Sequence, residues 1–346
     1  MRRTQRWIKL FKSSQFSIML EVLKLNAEWL QELLKLEELK TFAVLHGCLK
    51  LGLFEFLEKP RSAEEISKEV KLSHRAAKAV CRFLSSKGLL IEEGGKYRIS
   101  EISKVFLSRR SPFSIAEVFE EKREEIEFWL NLENTMKGEN LRREADFFKR
   151  RIRVLGKIAL LKDLKFVFKI ASLEEFRKAK RLLDLGGGHG LYAYAFTLLN
   201  EELIADVFDL PEVVNSAKDF LKPFNAQRVN FVEGDFFRDE LGENYDIVFS
   251  SFNPGGKRAE LIPKISRALK KGGIYVNRQY FPADGFGIED LEWNLWGFER
   301  LKKASKAYTF EGDLGLGEYI SKLEDNGFKV FEVFSKGYTA ILARKL

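Results

Sequence analysis

The stretch LLDLGGGHG, residues 182–190, combines an apolar run, one acid and glycines at every second position. Gly186, Gly188 and Gly190 carry no Cβ atom, so the backbone can turn sharply there and approach a ligand closely. Asp184 lies just before the glycines, where a carboxylate can orient the loop and accept hydrogen bonds from an ammonium group. The pattern predicts a strand, a tight ligand-binding turn and a helix.

Two further acids end the next two strand-like runs. Asp209 closes LIADVFDL, at about the 20-residue distance where nucleotide-binding folds carry an acid for the ribose hydroxyls. Asp235 ends VNFVEGD, where its carboxylate could accept from an adenine amino group while Phe236 packs on the ring. Ligands of an open α/β sheet bind at the carboxyl ends of its strands. These acids therefore predict a cofactor that contains a nucleoside.

The spacing of the glycines distinguishes between cofactors. A dinucleotide loop reads GxGxxG, whereas this loop reads GxGxG and has Leu191 where the last dinucleotide glycine would fall. A cofactor with an amino-acid tail in place of a pyrophosphate fits this loop and its acid. We therefore expect S-adenosylmethionine. The residues predicted to bind it are Asp184, Gly186, Gly188, Gly190, Asp209, Leu210, Asp235, Phe236 and Ser251.

The C-terminal part of the chain supplies the elements that position these residues. From residue 180 onwards, strand-like runs alternate with helix-like stretches at 190–200, 211–221, 257–271 and 313–327. This alternation predicts an α/β fold with a doubly wound, mostly parallel sheet. The last two strand-like runs are separated only by Lys336-Gly337, which predicts an antiparallel hairpin at the end of the sheet.

The N-terminal part has a different pattern. Apolar residues recur at helical spacing through residues 16–57, which predicts helices with a face for a partner helix. Ser62 and Glu65 form a capping-box pattern, a second helix ends near Gly88, and Gly94-Gly95 join two strand-like runs. Helix, turn, helix and two-stranded wing make a winged-helix layout.

Several motifs resemble one family, the O-methyltransferases of plant caffeate type and their microbial relatives. FAVLHGCLKLGLFEFL, RSAEEISKEV and FLSSKGLLIEEGGKYRIS are similar to its winged-helix dimerisation domain. RLLDLGGGHG, VFDLPEVV, VEGDFF and RALKKGGIYV are similar to its cofactor-domain motifs, in the same order. The resemblance covers nearly the whole chain. It implies a Rossmann-like methyltransferase sheet, a homodimer formed through the N-terminal domain, and a small-molecule acceptor.

The resemblance also implies roles and boundaries. Gly186 would lie by the methionine part of the cofactor, Asp209 would bind the ribose, and Asp235 with Phe236 would bind the adenine. The predicted domains are a helical and winged-helix dimerisation domain, a helical connector and an S-adenosylmethionine-binding domain, at residues 1–105, 106–176 and 177–346.

The sequence departs from the family at the position of the catalytic base. Members with a phenolic acceptor carry a histidine just after the fourth strand, but this segment reads FSSFNPGGKRAEL. The chain has three histidines, and none follows His189, which we interpret as a loop residue near the cofactor. The acceptor could therefore need no imidazole, being a thiol, an amine or an acidic hydroxyl. The weak candidates for a catalytic role are Asn253, in an Asn-Pro pair, and Glu292, as a substitute base.

Two alternatives to that enzyme stay open at the level of sequence. The protein could bind the cofactor as a non-catalytic sensor. The winged helix could bind nucleic acid through Arg75, Lys78 and Arg82, although we interpret these as solvated surface charges. The acceptor pocket of the enzyme is predicted after the fifth strand, where Trp293 and Trp296 are spaced to share a helical face.

Composition and charge limit the partners and the compartment. The net charge is +8 with its excess in the N-terminal half, which we interpret as a solvated surface, so nucleic acid is not an expected partner. We find no apolar run long enough to span a bilayer and no signal-like start. Cys48 and Cys81 form no CxxC pair. We expect a cytoplasmic protein with reduced cysteines and no metal site.

Overall fold

The computed structural model describes residues 35–137, 141–142, 145–282, 284–297 and 301–346. The chain divides into two compact units, Met1–Arg98 and Ile99–Leu346. Most of the helices predicted as a connector therefore lie in the second unit, and the boundaries proposed at residues 105 and 176 stay predictions. The first part of the apolar stretch 16–57, up to residue 34, lies outside the described residues.

The first unit contains four described helices and a small sheet. The helices are α1 (Glu37–Lys50), α2 (Leu53–Phe56), α3 (Ala63–Glu69) and α4 (His74–Ser86). The strands β1 (Arg61–Ser62), β2 (Leu90–Glu93) and β3 (Lys96–Ile99) pair in the order β1-β3-β2. This is the winged-helix layout that the sequence predicts.

Local sequence explains how these elements begin and end. The Ser62 hydroxyl accepts from Glu65 N at 3.2 Å while the Glu65 carboxylate accepts from Ser62 N at 2.7 Å, so the capping box starts α3 as predicted. Gly94 and Gly95 have φ angles of +57° and +73°, which suit the tight hairpin turn of the wing. Helix α4 buries Ala77 on its inner face.

The second unit begins with helices that precede its main sheet. They are α5 (Glu101–Phe106), α6 (Ala116–Leu130), α7 (Leu132–Met136), α8 (Ala145–Leu161), α9 (Val167–Ala171) and α10 (Glu174–Lys178). A 3₁₀ turn at Asp163–Phe166 leads into α9. The short strand β4 (Leu141–Arg142) pairs in parallel with a strand near the end of the chain, at Trp296–Gly297.

The main sheet has seven strands in the order β11-β12-β9-β8-β5-β6-β7. They are β5 (Arg181–Leu185), β6 (Ile204–Asp209), β7 (Val229–Glu233), β8 (Tyr245–Ser251), β9 (Leu269–Gln279), β11 (Phe328–Ser335) and β12 (Thr339–Lys345), with β10 (Trp296–Gly297) outside this sheet. β12 lies antiparallel between β9 and β11, and the other pairs are parallel. The predicted mostly parallel sheet with a C-terminal hairpin is confirmed.

Helices connect the strands and pack on both faces of the sheet. They are α11 (Leu191–Leu199), α12 (Pro211–Leu221), α13 (Ile262–Ala268), α14 (Ile288–Asn294) and α15 (Leu316–Asp325). Leu182 joins the apolar cluster on one face, and Leu183 and Leu185 join the cluster on the other face. A sheet buried on both faces explains why its central strands read as nearly continuous apolar runs.

The helix predicted at 257–271 is shorter in the structure. A 3₁₀ turn at Ala259–Leu261 precedes α13, and β9 begins at Leu269, where it pairs with Tyr245. Lys270 and Lys271 therefore belong to the strand, because backbone pairing with β8 outweighs their helical propensity. Among the described residues, no helix combines the length and apolar character that a bilayer span requires.

Candidate active site

The glycine-rich loop connects β5 to α11 as predicted. Gly186 has a φ angle of +64°, and its N–H donates to Phe208 O at 2.8 Å, so the loop is tied to the neighbouring strand β6. A Cβ atom at Gly186 would lie 2.8 Å from the Cβ of Asn253. Both the backbone angle and the close neighbour therefore require glycine here. Gly188 and Gly190 also have positive φ angles.

Asp184 lies beneath this loop. Its side chain is 1% exposed, and a Cβ atom at Gly187 would lie 2.6 Å from Asp184 Cγ. The pKa of the carboxyl is raised to about 7, chiefly by burial and to a lesser extent by the charge of Asp209, against the opposing effect of the Ala193 N–H. Asp184 Oδ2 has no hydrogen-bond partner among the described residues. Of its two predicted roles, this position favours support of the loop over direct contact with an ammonium group.

Asp209 ends β6 beside the same loop. Its Oδ2 accepts from Gly188 N at 2.9 Å, and its Oδ1 accepts from Leu210 N at 2.8 Å. These two backbone donors fix the orientation of a carboxylate that can accept about four hydrogen bonds. Leu210 is half-buried and directly precedes α12. The prediction that Asp209 stands beside the glycines at the end of its strand agrees with this geometry.

Asp235 follows β7, the next strand along the sheet edge. Its Oδ1 accepts from Phe237 N at 2.9 Å, and its own N–H donates to Asp239 Oδ2 at 2.7 Å. Phe236 is buried and packs against Phe237 with ring centroids 4.8 Å apart. The acids at 184, 209 and 235 thus lie at the same edge, since β5, β6 and β7 are adjacent and parallel.

Helix α8 packs over the glycine loop. A Cβ atom at Gly156 would lie 2.5 Å from Phe220 Cε1 and 3.1 Å from His189 Cβ, so glycine permits this close approach. Ile152 Cδ1 would lie 3.5 Å from a Cβ atom at Gly188. Helix α8 therefore covers the loop, a contact that sequence periodicity alone does not reveal.

His189 is buried within this loop. Its Nδ1 accepts from Leu191 N at 3.1 Å, and its ring packs on Tyr192 with centroids 5.6 Å apart. Burial lowers the pKa of the imidazole to about 4. Such a ring is neutral and weakly basic at pH 7, which agrees with its interpretation as a loop residue rather than the catalytic base.

The turn after β8 is the segment in which the resemblance implies a histidine for members with a phenolic acceptor. Asn253 is buried, its Nδ2 donates to Leu185 O at 2.6 Å and to Ser250 Oγ at 2.8 Å, and its Oδ1 accepts from Gly255 N at 2.9 Å. The amide therefore fastens this turn to the glycine loop. In this arrangement Asn253 positions the turn. Its hydrogen bonds give no support to the catalytic role that the sequence weakly predicts for it.

The two glycines of this turn leave no space for side chains. A Cβ atom at Gly255 would overlap Leu261 and lie 2.9 Å from Phe236 Cε2. A Cβ atom at Gly256 would overlap Gln279 and lie 2.9 Å from Asn277 Oδ1. Neighbouring side chains therefore occupy the space that a side chain at either glycine would need.

A buried ion pair holds the end of the same turn. Lys257 Nζ lies 3.1 Å from Asp313 Oδ2, and it also donates to Tyr280 O at 3.0 Å and Tyr308 O at 2.6 Å. Burial lowers the pKa of Lys257, whereas Asp313 opposes the shift. The pair links the turn to the segments that carry Tyr280 and Tyr308.

Aromatic rings continue from this turn to the predicted acceptor wall. We define the aromatic strip as Phe252, Tyr280, Tyr308, Trp293 and Trp296, whose successive ring centroids are 4.7, 4.8, 5.8 and 5.2 Å apart. The two tryptophans do meet, but not on one helical face, because α14 ends at Asn294 and Trp296 lies in β10.

The outer end of the strip lines an open pocket of about 220 Å³. Trp293 is buried, and its Nε1 donates to Ala304 O at 2.9 Å. Lys303 Nζ lies 3.6 Å from the ring centroid of Trp296. Glu292 is half-buried, and its charge contributes, after burial, to a raised pKa of Tyr308. Glu292 therefore lies close to the strip.

Ser251 and Arg278 complete this side of the site. Ser251 is the last residue of β8, and its Oγ accepts from Arg278 Nη1 at 3.3 Å. Sequence reasoning missed Arg278, Lys257 and Asp313. A signal was present for the first of these, since Asn277, Arg278 and Gln279 form a buried polar run directly after the apolar Ile274-Tyr275-Val276 of a central strand.

The edge of the sheet fits S-adenosylmethionine. The loop offers a tight, glycine-rich backbone turn, and acids lie at the ends of three adjacent strands beside it. Asp209 and Asp235 each hold their carboxylates in place through backbone N–H groups, which leaves acceptor capacity for the hydroxyl and amino groups of a nucleoside. A pyrophosphate would instead meet these carboxylates, which favours a cofactor with a positive tail.

Comparison with known proteins also indicates a methyltransferase. A sequence profile of the O-methyltransferase domain matches residues 142–277, and one of the O-methyltransferase dimerisation domain matches residues 36–109. An uncharacterised protein of Methanocaldococcus jannaschii is 38% identical over 85% of this chain and 82% of its own length. An N,N-dimethyltransferase of Streptomyces rimosus is 26% identical over 83% of this chain and 86% of its own length.

A solved structure shares the fold. Human N-acetylserotonin methyltransferase in complex with S-adenosylmethionine has a TM-score of 0.64 and 22% identity, covering 93% of this chain and 99% of that one. The resemblance, the fold class and the cofactor predicted from the sequence are confirmed. The chain belongs to the O-methyltransferase family whose members carry a dimerisation domain, and it is an S-adenosylmethionine-dependent methyltransferase.

Proposed function

We propose that this enzyme methylates a thiol, an amine or an acidic hydroxyl of a small molecule without an imidazole general base. The observation that carries the proposal is the turn after β8. Its glycines pack against Phe236, Leu261 and Gln279, and its Asn253 amide is bonded to the loop and to its own turn. No imidazole stands there, and a side chain at Gly255 or Gly256 would displace its neighbours.

The nucleophile determines whether a base is needed. A simple phenol, with a pKa of about 10, is almost wholly neutral at pH 7 and is a poor nucleophile in that form. A thiol is already ionised to a few per cent and is intrinsically more nucleophilic. The similar protein of Streptomyces rimosus is named an N,N-dimethyltransferase, so a nitrogen acceptor is also in keeping with the proposal.

We call the space beside the glycine loop, at the carboxyl ends of β5, β6 and β7, the cleft. The proposed cofactor roles are assigned to residues in the order of these strands. We assign the ribose hydroxyls to Asp209, the adenine to Asp235 and Phe236, and the methionine part to the glycine loop. Asp184 supports that loop from below. When bound, the cofactor supplies an electrophilic methyl group on its sulfonium. The residues of the chain bind it, exclude water and align the acceptor, and alignment alone can contribute a large part of the rate.

The aromatic strip is the proposed wall of the acceptor site. Its rings are continuous from the turn after β8 to Trp296, so one end meets the cofactor side and the other meets the pocket at Lys303. Flat apolar faces suit an acceptor with an aromatic or unsaturated body. Glu292 is the first carboxylate to examine as a substitute base, since its charge acts on Tyr308 of the strip.

The proposed assembly is a homodimer formed through the first unit. The match of the dimerisation domain to residues 36–109 supports this, as do Leu36, Leu39 and Leu51, which expose apolar surface in the single chain. Arg75, Lys78 and Arg82 are exposed on α4, and we interpret them as surface charges without a nucleic-acid role. A cytoplasmic location stays a prediction, in keeping with the free, buried Cys48 and Cys81.

Matched acceptors test the proposal. We would assay thiophenol, aniline and phenol, which share one ring, at pH 7 by release of S-adenosylhomocysteine. We expect thiophenol or aniline to be methylated much faster than phenol. The variant Glu292→Gln serves as the control for an acidic base and should keep that preference. Rapid methylation of phenol by the wild type, lost in Glu292→Gln, would contradict the proposal and identify a carboxylate base.

A further inference from the structure

Arg278 is a fully buried cation beside the candidate active site. It lies near the carboxyl end of β9, and its side chain is 0% exposed. Nη1 donates to Tyr192 Oη at 2.8 Å and to Ser251 Oγ at 3.3 Å. Nε and Nη2 are also buried, yet neither has a hydrogen-bond partner among the described residues. Three of the five N–H donors of this guanidinium are therefore without an acceptor among the described residues.

Four aromatic rings surround the guanidinium in place of a carboxylate. Its Cζ lies 4.4 Å from the ring centroids of Phe166 and Tyr338, 4.8 Å from Phe252 and 5.5 Å from Tyr192. We call these four rings the arginine cage. Cation–π contacts offset part of the desolvation of a buried cation. They do not satisfy in-plane N–H donors, and an arginine cannot release its proton to become neutral.

The two unpartnered atoms define the shape of the missing group. Nε and Nη2 carry the two parallel N–H bonds along one edge of a guanidinium. That edge matches the two oxygens of a carboxylate, which it binds in a bidentate manner. A carboxylate gives each of these two N–H groups its own charged oxygen, whereas a single water molecule or carbonyl oxygen would have to be shared between them.

The arginine cage adjoins both halves of the active site. Tyr192 belongs to α11 directly after the glycine loop and packs on His189, whereas Phe252 is the first ring of the aromatic strip. Phe252 has a φ angle of +55°, a strained value for a bulky residue and one that is found mostly at functional positions. Phe252 and Tyr338 are the half-exposed members of the cage, so their separation would open it.

We propose that the Nε and Nη2 edge of Arg278 binds a carboxylate of a ligand in this cleft. The inference rests on the proposed function, because it takes the cleft to be the methyl-transfer site. A carboxylate could come from the acceptor or from the methionine part of the cofactor. The position at the first ring of the aromatic strip favours the acceptor, which would then be an organic acid with an apolar body.

Thermal unfolding in the presence of small probes tests anion binding without turnover. Benzoate and benzamide share one shape, and only benzoate is charged. Sodium benzoate should raise the Tm of the wild type above that in sodium chloride of equal ionic strength, and benzamide should not, since a ligand of the folded state stabilises it. In Arg278→Met the benzoate effect should disappear. Arg267→Met, at an exposed arginine paired with Glu240, is the matched control.

Calorimetry distinguishes the two sources of the carboxylate. If the acceptor supplies it, Arg278→Met should bind S-adenosylhomocysteine as the wild type does and bind benzoate about 10- to 100-fold more weakly, as expected for hydrogen bonds to charged groups. If the cofactor supplies it, S-adenosylhomocysteine should weaken by that factor, whereas 5′-methylthioadenosine, which lacks the amino-acid tail, should not change.

Two outcomes would overturn the proposal. One is a wild type that binds benzoate no better than benzamide and an Arg278→Met variant that binds S-adenosylhomocysteine unchanged. The other is a benzoate effect that persists in Arg278→Met. If Arg278→Met does not fold, Arg278→Lys retains the charge, removes the parallel donors and should lose the same discrimination. Since these are binding measurements, failure of methyl transfer from the acceptors proposed above would not alter them.

Discussion

Asp209, at the end of β6, accepts one hydrogen bond from Gly188 N of the glycine loop and one from Leu210 N. Loss of its carboxylate removes the proposed ribose contact and releases the N–H of Gly188. We expect Asp209→Ala to weaken S-adenosylhomocysteine binding by about 1.5–3 kcal/mol, the value of hydrogen bonds to a charged group. Calorimetry measures this. Asp219→Ala, at an exposed acid of α12, is the control and should bind normally. Equal affinities for both variants would remove Asp209 from the site.

His189 gives the loop a signature in the pH dependence of stability. Its pKa is about 4 in the folded protein and about 6.5 when unfolded. As the pH falls below about 6.5, the imidazole takes up a proton in the unfolded state but stays neutral in the folded state down to about pH 4. The free energy of unfolding therefore falls over this interval. The full effect is about 3 kcal/mol. His189→Asn should lose this part of the slope.

Thermal unfolding between about pH 7 and about pH 4, an interval that contains both pKa values, measures that slope. His74→Asn, at an exposed histidine of α4, is the matched control and should keep the slope of the wild type. A His189→Asn variant with the same slope as the wild type would mean that the imidazole is protonated inside the folded loop.

Among single residues, the sequence predicts those site residues that can be recognised from their neighbours in the chain. Asp184 and the glycines share one short stretch, and Asp209 and Asp235 are recognisable because each ends a strand. The Arg278 site could not be assembled in this way. Its partner Tyr192 is 86 positions away in the chain, and the contact depends on how β9 and α11 pack.

The turn after β8 is the element that carries the proposed chemistry. Gly256 has no room for a methyl group because Gln279 and Asn277 occupy that space. Gly256→Ala should destabilise the protein by about 1–3 kcal/mol, the usual effect of overpacking. Gly317→Ala, in α15 with nothing within 4 Å, should be neutral or stabilising by about 0.5–1 kcal/mol. Chemical denaturation compares both; equal stabilities would mean that the turn tolerates side chains.

Element types were predictable because periodicity carries them. Alternating strand and helix patterns predicted the sheet, and the capping box at Ser62 predicted the start of α3. The sequence did not predict where some elements end or which strands they pair with. The helix predicted to 271 ends at Ala268, and Trp296 lies beyond the end of α14, because pairing with distant strands determines both boundaries.

At the scale of the whole molecule, the main prediction is assembly. Apolar surface on the first unit, with Leu36 and Leu51 about half exposed, needs burial against a partner. We expect light scattering at micromolar concentration to give about twice the mass of 40.1 kDa calculated for one chain. Leu36→Glu with Leu51→Glu should shift the population towards monomers. A wild-type mass near that of one chain would contradict a dimer.

Methyl transfer without an imidazole base is tested most directly by the pH dependence of the rate for phenols of graded acidity. With saturating cofactor, we expect the rate to rise tenfold per pH unit, in proportion to the phenolate concentration, and to level off at the pKa of each phenol. Phenol itself should level off near pH 10. A rate that instead levels off at the same pH for every phenol, near the pKa of one enzyme group, would show that an enzyme base takes part and would contradict this mechanism.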